Sequence, residues 1–102
     1  MQEFILAKQQ DIADLCRKHH VRRLSVFGSA ATDHFDPNHS DVDVIVEFEN
    51  LPIEQYSENK WALHDKLVAS FQTKVDLLTW ESLKNPVILK EVESTAETLY
   101  AA

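Results

Sequence analysis

Glycine is almost absent from this sequence: Gly28 stands alone among 102 residues, where ordinary usage near 7% would give about seven. A chain so poor in glycine has few places where the backbone can take a left-handed turn cheaply, so the position of the single one carries information. Cysteine is equally scarce. Cys16 alone excludes an internal disulfide framework, and because it falls on the apolar periodicity of the first predicted helix it is expected to act as a small buried hydrophobe. No run approaches the roughly 20 apolar residues of a membrane span, and the amphipathic N-terminus lacks the apolar centre of a secretory signal. A soluble cytoplasmic protein without membrane contact is therefore expected. Positive charge is short as well: 10 Lys and Arg against 17 Asp and Glu, for a formal net charge of -7. The basic groups Arg17-Lys18 and Arg22-Arg23 form no stripe, which argues against generic nucleic-acid binding. A basic protein partner, or an anionic small ligand reached through metal ions, fits this balance better.

What is present suffices for one domain spanning residues 1–102, with 44% hydrophobic residues to build a small core. So small a domain has little room for a large enclosed pocket, and a homodimer or a hetero-complex is expected to supply missing surface. Hydrophobic spacing predicts a helix from Glu3 to about His19, with Phe4, Ile5, Ile12, Leu15 and Cys16 on one side. A strand follows over Val21–Phe27 and stops at Gly28. Residues 29–40 read as a loop, with one helical turn near its start. Asp41–Phe48 alternates: Val42, Val44, Val46 and Phe48 face one way, and Asp41, Asp43, Ile45 and Glu47 the other. A helix is predicted over residues 53–70, with Tyr56, Leu63, Leu67 and Val68 on its apolar side and Trp61 and Phe71 nearby. A third strand covers Lys74–Thr79. After a turn near Trp80–Lys84, Asn85-Pro86 suits the start of a last helix, expected to carry Val87, Ile88, Val92 and Leu99 to the end of the chain. The order α-β-β-α-β-α predicts an α+β fold, a three- or four-stranded mixed sheet with flanking helices.

The chemistry concentrates on a few positions. Asp41 and Asp43, two residues apart on a strand, point to the same face about 6.5 to 7 Å apart. Two ionised carboxylates so placed repel unless something compensates, and a divalent cation does. Mg²⁺ takes hard oxygen ligands, commonly one or two protein carboxylates with phosphate oxygens and water completing its shell. The competing reading is a pair of solvent-facing aspartates on an exposed sheet face, although Asp is depleted in strands. Gly28 ends an apolar strand, where it would let the chain turn and a phosphate approach the main chain. The Ser29 hydroxyl and the amides that follow would then donate to that phosphate. Asp76 sits in the otherwise apolar Lys74-Val75-Asp76-Leu77-Leu78. If its strand neighbours that of Asp41 and Asp43, three carboxylates converge, enough for two metal ions.

Gly28-Ser29, then ten residues, then Ser40-Asp41-Val42-Asp43 continuing into Val44-Ile45-Val46-Glu47-Phe48, and Asp76 on a later strand, together resemble the signature of the polymerase-beta-type nucleotidyltransferase superfamily. The short chain and the helix before the first strand resemble its minimal nucleotidyltransferase (MNT) branch, over nearly the whole length. The resemblance implies a palm-like nucleotidyltransferase fold and a two-metal, Mg²⁺-dependent transfer of a nucleoside monophosphate from ATP or another nucleoside triphosphate. Asp41, Asp43 and Asp76 would be catalytic and metal-binding, with Gly28, Ser29 and Ser40 on the nucleotide phosphates. It further implies a HEPN-domain protein as partner, a toxin that the MNT protein neutralises as an antitoxin by adding AMP to it. The run after Gly28-Ser29 departs from the family, which often has two arginines and a second glycine there. Here it is Ala30-Ala31-Thr32-Asp33, so Lys74, Arg22, Arg23 or a partner's basic residues would have to steady the triphosphate. A binding-only antitoxin of the same fold is the alternative, and a plain acidic adaptor without a nucleotide site the third reading. His34, His39 and the His19-His20 pair lack the spacing of a common zinc site and are expected to be exposed; Trp61 is expected in the core or an interface.

Overall fold

The computed structural model describes residues 1–32, 36 and 41–102, so Ser40, His34, His39 and Asp33 lie outside the described residues. Its centre is strand β2 (Val42–Phe48), whose alternation builds two layers at once. Val42, Val44 and Val46 are buried in the main core with Leu24 and Val26 of β1 (Val21–Phe27). Ile45 points the opposite way and packs with Phe27 and Val92 in a second, smaller cluster. β1 runs antiparallel to β2, and β3 (Val75–Thr79) runs parallel to it. A parallel pair needs a crossover, which α3 (Ile53–Phe71) provides. α3 lays Leu63, Leu67 and Phe71 onto the core face, beside Ile12 and Cys16 of α2 (Gln9–Lys18). The four-stranded sheet has the order β3-β2-β1-β4. The expected α+β class, a small mixed sheet with helices packed on it, is the observed one.

Local departures have physical causes. Val21 and Leu24 are three residues apart yet both buried; an irregularity in the pairing with β2 between Val21 and Arg23 brings them to one face, as a β-bulge does. The first helix is not continuous: α1 covers Glu3–Leu6, and the Lys8 N–H turns back to the Ile5 carbonyl at 3.0 Å, the tighter spacing that closes a helix, before α2 begins. The last helix ends earlier than its apolar spacing predicts. α4 (Pro86–Thr95) starts on the Asn85 cap, whose side chain accepts from the Val87 N–H at 2.9 Å, but it stops at Thr95. Glu97–Ala101 then forms β4 against β1. An uncovered β1 edge would leave a row of backbone groups unpaired, and β4 satisfies it while burying Leu99. Val87, expected on the packed side of that helix, is instead exposed.

Cys16 is fully buried, and burial pushes its thiol up to about 12, as expected of an inert core sulfur. Trp61, expected in the core or an interface, is not in the core: it is 62% exposed, because Leu63 and Leu67 hold the inward face of α3. Among the described residues no helix is long and apolar enough to cross a membrane. Leu67 anchors α3 over the sheet with no exposed surface at all, so Leu67→Ala should lower unfolding free energy by about 2–5 kcal/mol in urea titration, a large share of the roughly 5–15 kcal/mol of an ordinary domain.

Candidate active site

β1 ends and β2 and β3 begin at one side of the sheet, and the polar side chains singled out above gather there. Asp43 is the register partner of Phe27 on one side and of Asp76 on the other. With strands about 4.8 Å apart, this places the two carboxylates on neighbouring strands, pointing to the same face. Asp41 stands two residues earlier, exposed, and lines a shallow cleft with Asp76, Lys74 and His64. Gly28 follows Phe27 directly, with φ +66°, and opens a 3-10 turn over Gly28–Ala31.

That turn is held from three directions. The Gly28 N–H donates to Thr95 Oγ1 at 2.8 Å, so it is engaged within the fold. The Gln2 N–H donates to the Ala30 carbonyl at 3.2 Å, and the Gln2 side-chain amide to the Thr32 carbonyl. The Thr32 N–H closes onto the Ser29 carbonyl at 3.2 Å. A short turn of this kind leaves its first amides without partners inside the helix, which is the property the phosphate reading of Ser29 requires.

Glu91 was not singled out by sequence spacing. A Cβ on Gly28 would stand 2.9 Å from Glu91 Oε1 and 3.2 Å from Asp43 Oδ2, so both carboxylates press against the bare face of this glycine. The signal was present on α4: Ile88 and Val92 pack against the sheet, and Glu91 and Thr95 share that side at helical spacing. Burial, first, and then the nearby charges of Asp76, Glu91 and Asp41 push the Asp43 carboxyl up to about 6. A carboxylate so disfavoured in its charged form is one that a cation would relieve.

Among the described residues no three His, Cys, Asp or Glu side chains stand close enough together to form a ready-made metal cage. The Asp43–Asp76 pair nevertheless suits a hard divalent cation, which takes one or two carboxylates and fills its shell with phosphate oxygens and water. Asp41 and Glu91 stand close enough to act on Asp43 electrostatically. The cations proposed to replace the missing arginines divide clearly. Arg22 is paired with Glu47 at 3.3 Å, and Arg23 lies five residues up β1 from Gly28, about 17 Å away along an extended strand. Neither belongs to the site. Lys74 lines its cleft.

The family described as a nucleotidyltransferase domain matches residues 10–98. The chain belongs to that family. It is 35% identical over 89 residues to a Methanocaldococcus jannaschii protein provisionally named a protein adenylyltransferase, covering 87% of this chain and 85% of that one. Its fold matches a solved structure described as a minimal nucleotidyltransferase with a TM-score of 0.66 at 27% identity, over 93% of this chain and 92% of the other. It also matches a chain of the complex between tri-AMPylated Shewanella oneidensis HEPN toxin and MNT antitoxin, with a TM-score of 0.63 over 96% of this chain and 73% of that one. At 21% identity the last likeness bears on fold alone. Membership in this nucleotidyltransferase family agrees with the resemblance carried by Gly28-Ser29 and Asp41-Val42-Asp43.

Two outcomes test the geometry of the site. A folded pKa near 6 against the usual 3.8 means that metal-free Asp43 favours folding fully below pH 3.8, an advantage lost as pH rises through about 6. Without divalent metal, Asp43→Asn should therefore raise Tm at pH 7.5, with the difference fading below about pH 4, in paired thermal melts. Gly28→Ala should cost about 1–2 kcal/mol for its left-handed backbone, and the added methyl should displace the Asp43 and Glu91 carboxylates. Mg²⁺-ATP binding by calorimetry should fall more than that stability loss explains.

Proposed function

We propose that this protein transfers AMP from ATP to a hydroxyl group of a partner protein, and that the partner is a HEPN-domain toxin which it neutralises as an antitoxin. The observation that carries this reading is the in-register pair Asp43 and Asp76 beside the Gly28 turn: two carboxylates of the kind that suit a divalent cation, next to a turn whose Ser29 is half-buried. The adenylyltransferase name of the Methanocaldococcus jannaschii relative supports AMP as the transferred group. The acceptor class and the antitoxin role are the proposal's own extension, suggested by the AMPylated HEPN toxin that accompanies an MNT antitoxin of similar fold.

In this mechanism the Ser29 amide and hydroxyl hold the departing phosphates. Asp41, Asp43 and Asp76 are the residues that would hold divalent cations, Mg²⁺ in the first instance, with Asp43 between the other two. When bound, the metal neutralises the crowded carboxylates and the triphosphate and acidifies the acceptor hydroxyl. Asp76, exposed at the edge strand, receives the acceptor's proton on a carboxylate oxygen. The acceptor oxygen then bonds to the α-phosphorus, the bond from that phosphorus to the bridging oxygen breaks, and pyrophosphate leaves. Family members commonly bring arginines to the triphosphate, whereas this chain relies on backbone donors and metal charge.

One observation favours a second reading, a binding-only antitoxin. Glu91 rests against Gly28, and Thr95 engages the Gly28 N–H, so the turn is already in contact with an anionic group and a hydroxyl. The two readings separate by incubating the full-length protein with Mg²⁺ and ATP, alone and with its cognate HEPN-domain protein, and weighing both chains intact. A mass gain of AMP on the partner, reduced at least about a hundredfold in rate by Asp43→Asn or Asp41→Asn, is the expected result. A tight complex with no mass gain on either chain would instead establish neutralisation by occlusion.

A further inference from the structure

Two adjoining depressions flank Asp76 on the outer side of the sheet, of about 130 and about 280 Å³. Between them they are lined by Lys60, Trp61 and His64 of α3, by Lys74 just before β3, by Val75 of β3, and by Asp41 and Asp76, the two carboxylates through which they open onto the candidate site. None of the lysine, tryptophan or histidine side chains has a part in the mechanism above.

The groove is built rather than incidental. His64 Nε2 lies 2.8 Å from the Val75 carbonyl, which fixes that nitrogen as the N–H donor and leaves Nδ1 as an acceptor. Nδ1 is buried and has no hydrogen-bond partner; its nearest charged neighbour, Asp65 Oδ1, is 3.7 Å away, beyond hydrogen-bonding reach. Trp61 packs edge-on to the clamped imidazole, with ring centroids 5.7 Å apart and an interplanar angle of 84°. An indole that is 62% exposed thus rests one side on a ring that is itself anchored to the edge strand. Among the described residues neither Lys60 nor Lys74 forms an ion pair, although the chain carries a net charge of -7.

The order of the strands gives this groove a role. Across the sheet stand the Gly28 turn at the end of β1, Asp43 on β2, Asp76 on β3, and then the groove beyond the sheet's edge. Phosphoryl transfer requires the attacking and leaving oxygens to stand roughly in line on opposite sides of the phosphorus. If the departing phosphates are held at the β1 turn, the acceptor has to arrive from the β3 side. We propose that the Lys60–Trp61–His64–Lys74 groove docks the acceptor segment of the partner protein, a hydroxyl-bearing stretch flanked by acidic residues. Lys60 and Lys74 pair with the flanking carboxylates, and Trp61 forms the wall against which the segment's apolar atoms pack. The proposal rests on the transferase reading, and it places both free lysines on the acceptor side rather than on the triphosphate.

Docking can be read without turnover, which keeps the two readings separable. The ¹⁵N-labelled full chain is titrated with a synthetic peptide carrying one serine among glutamates, and separately with the same peptide built on lysines. The expected result is saturable shifts of the Trp61 indole N–H and of the Lys60, His64 and Lys74 amides with the acidic peptide alone. Lys60→Glu combined with Lys74→Glu should weaken binding at least about tenfold, with the spectrum elsewhere unchanged as proof of folding. A second arm adds Mg²⁺-ATP, whose shifts should fall on Gly28, Ser29 and Asp43. Equal binding of both peptides, no shift at Trp61, undiminished binding by the double variant, or ATP shifts centred on Trp61 and Lys60 would each overturn the assignment. Absence of AMP transfer in the intact-mass assay, with acidic-peptide docking retained, would overturn the transferase reading and with it the groove's role as an acceptor site.

Discussion

Two like charges facing each other across neighbouring strands repel, and the pairing of Asp43 with Asp76 is the constraint around which this small structure is arranged. The pairing is enforced from the other face of the sheet. Val42, Val44 and Val46 on β2, and Val75 and Leu77 on β3, are buried under α2 and α3. Because a strand's side chains alternate, a one-residue slip that separated the two aspartates would also turn those apolar residues towards water. Burial of roughly 25 cal/mol per Å² over several such side chains exceeds the repulsion of two partly hydrated carboxylates by a wide margin. The hydrophobic face therefore dictates the electrostatics of the polar one. Asp43 responds by holding its proton more tightly, with burial as the leading cause.

The second fixed point is Gly28. Its left-handed φ turns the chain at the end of β1, and its missing side chain lets Asp43 and Glu91 approach from two sides. Around it the structure spends hydrogen bonds freely: Thr95 of α4, Gln2 near the N-terminus and Thr32 all tie the turn down. Residues far apart in the chain thus converge on four backbone positions. A phosphate cradle has to be rigid before its ligand arrives, since ordering it on binding would cost affinity. The ties to α1 and α4 supply that rigidity without occupying every amide of the turn.

Much of this was legible in the sequence because it rests on short-range pattern. The alternation over Asp41–Phe48 fixed which residues face the helices, and the lone glycine after an apolar strand marked the turn. Asn85-Pro86 marked the start of α4 by its capping chemistry. What escaped depended on long-range pairing. β4 forms because β1 has an open edge, a demand that residues 97–101 cannot reveal by themselves, so their apolar residues were read as helix. Glu91 required knowing that α4 crosses the far face of the sheet at Gly28, although Glu and Thr on an otherwise apolar helix stripe were a visible hint. Size and helix left Trp61 between the core and an interface, and the fold gave the inward positions to Leu63 and Leu67. The roles of Asp41, Asp43, Asp76, Gly28 and Ser29 remain assignments of chemistry, to which the fold contributes position. Ser40 lies outside the described residues.

The distribution of charge adds a directional argument. The β1 side of the site presents the backbone turn Gly28–Ala31, while the β3 side presents Lys60 and Lys74. Backbone donors favour groups that fit closely and are held by geometry, as the phosphates of a common nucleotide are. Flexible lysines act as point charges that tolerate variation in their target, as a segment of polypeptide demands. Both arrangements sit on a chain whose overall charge is negative, so its long-range field attracts positive charge while the two lysines of the groove would select locally for carboxylates. Long-range attraction and local selection then act through opposite signs of charge. Under the proposed docking, that combination would favour a macromolecule presenting both signs over a small free anion.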